Sequence, residues 1–230
     1  WMFEYYDLQN RMHWHPMSVP LHTDVKDWNE KLTDNEKNLL VQIFRLFTQS
    51  DVDVAGGYID KYMPIFKKPE ARMMMSSFAN MEAIHQHAYS LLLDTVGMPE
   101  IEYKAFAEYE EMSDKHDYMQ QFTIDSNHEI AKTVAMFGGF TEGLQLFASF
   151  AMLLNFPRHN KMRGMGQIVT WSVRDESLHS RMGCQLYRHM CEELPELKDE
   201  CKEDIYTAAK IMVELEEKYI DKMLLCVTVL

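Results

Sequence analysis

The sequence predicts an all-α fold, a bundle of long helices built as one domain over residues 1–230, with an irregular arm over residues 1–31. Three observations predict it. Helix breakers are scarce, 9 Gly and 7 Pro in 230 residues, while Glu, Lys, Gln and Met are abundant. Apolar positions recur at the 3.6-residue period, and no strict alternation competes with it. No Pro/Gly/Ser-rich linker divides the chain, whose 47% hydrophobic content suffices for a sizeable core.

The elements follow in order. In the arm, Trp14-His15-Pro16, Pro20 and Thr23 to Trp28 carry turn chemistry and aromatics without a sustained period. Thr33-Asp34-Asn35-Glu36 fits a capping box, opening a helix that continues to about Met63, before Pro64. A second helix starts at Pro69 and runs to about Val96, where Gly97 and Pro99 stop it. Residues 100 to 121 read as a shorter, more polar helix. Ser126 caps the next, which reaches about Phe156 before Pro157 and has a weak point at Gly138-Gly139. Another spans about 159 to 191, and a last one follows Pro195.

Charge and cysteine usage exclude several functions. A formal charge of −13 repels phosphate backbones and anionic lipid, so neither nucleic acid nor membrane is an expected partner. The 4 cysteines form no Cys-x-x-Cys pair, which argues against a zinc knuckle and for reduced thiols. No signal-like start is present and no run of about 18 apolar residues lacks charge. A soluble, cytoplasmic protein is expected.

The chemistry lies in acids and imidazoles set into apolar helical stripes. Glu82, His85 and Tyr89 stand at i, i+3 and i+7 on a stripe that includes Met74, Met75, Phe78, Leu92 and Leu93. Glu-x-x-His recurs as Glu176/His179, after Ile168, Val169, Trp171 and Val173. With 21 Glu and 10 His, chance supplies about one such spacing, so context must decide. Helical bundles hold two metals with Glu-x-x-His from two helices and one acid from each of two others. Glu142 is the only acid between Glu129 and Asp175, and burying it alone would cost several kcal/mol. For the fourth helix the choice is Asp51 or Asp53, about 200° apart on a helix wheel. Asp51 shares its stripe with Leu40, Phe44, Phe47, Val54, Tyr58 and Tyr62, whereas Asp53 falls with Gln42, Gln49 and Asp60. Asp51 is taken as the ligand and Asp53 as a solvated or supporting acid. Four carboxylates and two imidazoles suit Fe or Mn.

At this point the sequence resembles the small, radical-generating subunit of class I ribonucleotide reductase, in its compact form. The resemblance runs from Trp14 to about Leu186. It rests on Phe78-Ala-Asn-Met-Glu-Ala-Ile-His-Gln-His-Ala-Tyr89, on Val173-Arg-Asp-Glu-Ser-Leu-His179, and on intervals of 31 (Asp51 to Glu82), 60 (Glu82 to Glu142) and 34 (Glu142 to Glu176).

The resemblance implies a ferritin-like bundle with additional helices and a dinuclear metal centre on Asp51, Glu82, His85, Glu142, Glu176 and His179. Iron in both positions is the first expectation, with two manganese or a manganese/iron pair as alternatives. Tyr89 matches the tyrosine that becomes a stable radical, insulated by apolar side chains such as Phe150. Trp14 and Asp175 match the relay linking the metals through His85 to the surface. The implied partners are the large subunit that reduces ribonucleotides, a second copy in a homodimer and, with manganese, an activating flavoprotein. The family's flexible tail, which docks on the large subunit, has no counterpart in Leu224 to Leu230. The remaining eight histidines are given no chemistry. A di-iron oxidase or hydroxylase could use the same ligands without a radical tyrosine. An iron store would be a shorter four-helix chain in a hollow multimer.

Overall fold

In the computed structural model, which describes residues 1–98 and 110–228, every long element is helical, and no strand occurs among the described residues. The arm departs from its irregular reading. It forms helix α1 (Met2–Arg11), a single 3₁₀ turn (Pro16–Ser18) and helix α2 (His22–Glu30). The reason lies in a short stripe: Met2 and Gln9 are buried, and Tyr5 and Tyr6 between them pack against the core. One member is a glutamine, so its periodicity is hidden from a hydrophobic count.

Arm helix α2 also performs a capping task. Asp24 accepts hydrogen bonds from the backbone N–H groups of Gly164 (2.9 Å) and Met165 (2.6 Å), and Asp27 accepts one from Met162 (2.9 Å). These are donors at the start of a later helix, where the first turn has no partners of its own. The arm is thereby anchored to the helix that carries Glu176 and His179.

Helix α3 (Asp34–Gly56) opens with the capping box: Thr33 Oγ1 accepts from Glu36 N at 3.2 Å, and Glu36 accepts from Thr33 N at 2.9 Å. It passes into a π-helical segment (Gly57–Tyr62) and ends before Pro64. Helix α4 (Pro69–Val96) has Pro at its first turn and Gly97 in the left-handed region, φ 79°, just past its end. Of the polar helix read at 100 to 121, α5 (Glu110–Gln120) is helical, and residues 99–109 lie outside the described residues. Ser126 caps α6 (Asn127–Met136), accepting from Glu129 N at 3.2 Å. The same run continues as a π segment (Phe137–Gln145) and α7 (Phe147–Arg158), which includes Pro157 in its last turn. Helix α8 (Arg163–Glu193) is the longest, and α9 (Leu197–Glu200) and α10 (Lys202–Thr228) follow.

The run Asn127–Arg158 has the length and mean hydropathy, 1.2, of a membrane span. Here it is a core element against α8. Gly138 and Gly183 make that contact backbone to backbone: a Cβ on either would stand 2.5 Å from the other's Cα.

The apolar core has two large clusters, and the polar stripe residues lie where each helix passes from one to the other. Phe47 belongs to the first and Val54 to the second, with Asp51 between; Phe78 and Tyr89 bracket Glu82 and His85 likewise. Phe137 and Leu146 bracket Glu142, and Val169 and Met182 bracket Glu176 and His179.

Candidate metal centre

Four helical elements deliver the six stripe residues to one place. Their side chains are almost entirely buried: Asp51 3%, Glu82 1%, His85 1%, Glu142 2%, Glu176 1% and His179 0% exposed. They fall into two groups, Glu82, Glu142, Glu176 and His179 in one and Asp51, Glu82 and His85 in the other, each with ligand atoms within 4.8 Å of one another. Glu82 belongs to both. One of its oxygens lies 2.8 Å from His179 Nδ1 and the other 3.4 Å from His85 Nδ1. Glu176 spans the pair too, at 3.1 Å from His85 Nδ1 and 3.7 Å from His179 Nδ1. Two carboxylates thus sit between the imidazoles, while Asp51 and Glu142 lie at opposite ends.

Several of these atoms lack a hydrogen-bond partner: Asp51 Oδ2, Glu82 Oε1, both oxygens of Glu176 and His179 Nδ1. Glu82 and His179 approach to 2.8 Å without hydrogen-bond alignment. Buried polar atoms left so cost free energy unless something else satisfies them. Lone pairs converging on two points, from an oxygen and imidazole donor set, fit a pair of Fe or Mn ions.

The electrostatics agree. Four carboxylates face two imidazoles, so even with both rings protonated the negative charge is in excess. Burial raises the Glu142 carboxyl, and the charges of Glu176 and Glu82 add to it against the pull of His179, giving about 8. Burial would also raise Glu82, but the two imidazoles outweigh it and hold it down at about 2. His179 is held up at about 10, its carboxylate neighbours overcoming the effect of burial.

The outer faces of both histidines are tied down. His85 Nε2 meets Asp175 Oδ2 at 3.3 Å, and the same oxygen accepts from Trp14 Nε1 at 2.8 Å. Trp14 stacks over His85, ring centroids 5.8 Å apart. The Trp14, Asp175 and His85 expected from sequence therefore form one continuous hydrogen-bonded chain. Burial works against the Asp175 charge, but His85, Trp14 and Arg174 keep its carboxyl below the usual range.

Tyr89 is 1% exposed, and its hydroxyl donates to Ser172 Oγ at 3.2 Å. Phe47 (5.0 Å between centroids) and Phe44 (6.2 Å) wall its ring. Phe150 stands behind Phe47, at 5.1 Å from it. Burial, reinforced by the Asp51 charge, pushes the phenol well above its ordinary range. Asp53 turns away from the centre and pairs with His116 at 2.6 Å.

The sequence reading missed three contributors. Gln9 on α1 accepts from or donates to both sides of the site: its Oε1 is 3.0 Å from His179 Nε2 and its Nε2 donates to Asp175 Oδ1 at 3.5 Å. Tyr58, noted only as a stripe aromatic, donates to Glu142 Oε1 at 2.6 Å. Ser172, the partner of Tyr89, carries no sequence signal beyond its place on the Glu176 helix.

Comparison with known proteins gives a consistent result. A family model described as "Ribonucleotide reductase, small chain" matches residues 1–230. A probable ribonucleoside-diphosphate reductase small subunit of Invertebrate iridescent virus 6 is 47% identical over 94% of this chain and 65% of its own length. Its counterpart in Invertebrate iridescent virus 3 is 39% identical over 95% of this chain and 63% of its own. The chain thus spans just under two thirds of these two relatives. Among solved structures, the ribonucleotide reductase R2 subunit of Clostridium botulinum superposes with TM-score 0.86, 20% identity, over 97% of this chain and 72% of that one. The dimanganese(II) NrdF of Streptococcus sanguinis gives 0.83, 20% identity, 96% and 78%. Both likenesses establish the ferritin-like fold.

Proposed function

Since this chain belongs to the ribonucleotide reductase small-chain family, we propose that it is the radical-generating subunit of a class I enzyme, acting with a large subunit that reduces ribonucleotides. The single observation that carries this reading is the buried ring of Asp51, Glu82, His85, Glu142, Glu176 and His179, with its unpartnered lone pairs. These six residues would hold two metal ions. Iron in both positions is our first assignment, with two manganese or a manganese/iron pair as alternatives. Bound there, the metals would supply oxidising equivalents from dioxygen or a reduced oxygen species.

The protein's own groups account for the rest. Tyr89 would give up one electron and its phenolic proton to the oxygen species reduced at the site, and the rings of Phe44 and Phe47 keep water and reductants from the radical. Asp175 fixes the His85 ring by holding Nε2, which leaves Nδ1 toward the ring of carboxylates. Trp14, stacked on His85 and bonded to Asp175, carries the electron between the site and the large subunit's face. Residues 1–230 act as a single domain, in the cytoplasm and as a homodimer, with an activating flavoprotein as a further partner if manganese is used.

The test is to load metal-free protein with Fe(II) or Mn(II), expose it to dioxygen, and record metal content and the EPR spectrum for wild type and Tyr89→Phe. A tyrosyl signal that disappears in the variant is expected. Absence of any radical with every metal and oxidant overturns the reading in favour of an oxidase or a store.

A further inference from the structure

The two ends of the carboxylate ring are built differently. At the Asp51 end, Asp51 Oδ2 has no hydrogen-bond partner. At the Glu142 end, one carboxylate oxygen is held by the Tyr58 hydroxyl at 2.6 Å. Tyr58 is itself fixed. It is 2% exposed, and its ring meets Tyr62 (5.8 Å), Phe78 (5.9 Å) and His179 (6.0 Å) edge to face. Both partners of the bond lie in the two π-helical segments, Tyr58 in Gly57–Tyr62 and Glu142 in Phe137–Gln145. Such local widening of a helix re-aims side chains and concentrates at functional sites.

We propose that Tyr58 is a positioning residue for the metal position formed by Glu142 and His179: its phenol holds Glu142 Oε1, the oxygen that also lies 3.7 Å from His179 Nδ1, and so fixes the orientation in which the carboxylate meets the cation. The inference rests on the metal-binding reading above and goes beyond it by making the two positions unequal. Outer hydrogen bonds of this kind to a ligand typically set metal affinity within 10- to about 100-fold. Among the described residues no hydroxyl holds Asp51 in this way, so removing the Tyr58 phenol should leave the Asp51 and His85 position unaffected.

The experiment is an anaerobic titration of metal-free protein with Mn(II), counting free ion by EPR. Wild type is expected to bind two ions per chain. Tyr58→Phe keeps the ring and its packing but removes the hydroxyl, and should weaken one position by 10- to about 100-fold while leaving the other within threefold. Glu142→Gln should weaken the same position, and adding Tyr58→Phe to it should cause no further loss, because the phenol acts through the carboxylate. Tyr62→Phe is the control: its hydroxyl donates to the Thr133 carbonyl, at 3.4 Å, and both positions should be retained. Tyr58→Phe binding both ions as wild type does overturns the inference. So does an equal loss at both positions, or an additive loss in the double variant, either of which marks a packing role. Wild type that binds no metal overturns the metal-binding reading together with the inference.

Discussion

The crossing of Gly138 and Gly183 offers a sharp test of how the site is held, through the substitution Gly183→Ala. The added methyl would lie 2.5 Å from Gly138 Cα and 3.3 Å from Gly138 N, both backbone atoms that cannot rotate aside. Ordinary carbon contacts need about 3.5 Å or more, so the two helical runs must part by about 1 Å. Overpacking of this kind costs about 1–3 kcal/mol. In a chain of this size that lowers the melting temperature by about 2–12 °C. The matched control is Gly139→Ala, whose methyl meets nothing within 4 Å. It replaces a conformationally free residue in a helical segment and should gain about 0.5–1 kcal/mol. Thermal melting followed by circular dichroism reads both. Because Glu142 lies one turn beyond Gly138, Gly183→Ala should also bind less Mn(II) than wild type, whereas Gly139→Ala should bind the same amount. A Gly183→Ala protein that melts at or above the wild-type temperature would refute the close-approach argument.

Other expectations are equally open to measurement. Lys115 is buried with its ammonium on Glu216 Oε2 at 2.5 Å and on the Gln145 carbonyl at 3.1 Å. Lys115→Met strands the Glu216 carboxylate and should cost about 3–5 kcal/mol in urea unfolding, whereas Lys115→Met/Glu216→Leu should recover most of it. Burial would raise the Glu36 carboxyl, but Lys161 at 2.6 Å and the hydrogen bonds from Thr33 bring it below its ordinary value of 4.5. A lowered folded pKa means stabilisation that is present above pH 4.5 and lost as the pH falls through the folded value. The melting difference between wild type and Lys161→Met should therefore shrink on acidification below that pH. It should stay under about 1 kcal/mol throughout, since the pair lies near the surface and keeps partial access to solvent. Gln9→Leu removes the partner of His179 Nε2, and should lower Mn(II) affinity by about tenfold without abolishing the helical circular dichroism. Binding unchanged in Gln9→Leu would mean the glutamine is only a packing group.

Local chemistry made much of the fold legible. Thr33 with Glu36, Pro69 with Gly97, and Ser126 are start and stop signals that depend on residues a few positions apart, and each lies at the element boundary expected of it. The six stripe residues were readable because an acid in apolar helical sequence is expensive wherever the helix packs. The helical arm was not readable, because its stripe is short and includes Gln9. Neither were the π segments: one extra residue per turn leaves no mark on a 3.6-residue count, and Gly138-Gly139 signalled only weakness. The roles of Gln9 and Tyr58 depend on partners 170 and 84 residues away in sequence, and such pairings become visible only when the bundle is assembled.

The carboxamide of Gln9 has a consequence for the arm itself. It touches Asp175 and His179 at once, so α1 and the interior of the bundle share one set of hydrogen bonds. Anything that steadies those two groups also lowers the free energy of the docked arm, and undocking the arm must loosen them by the same amount, because thermodynamic coupling is reciprocal. The ten residues of α1 are thus joined to the bundle at the same two groups that border the site.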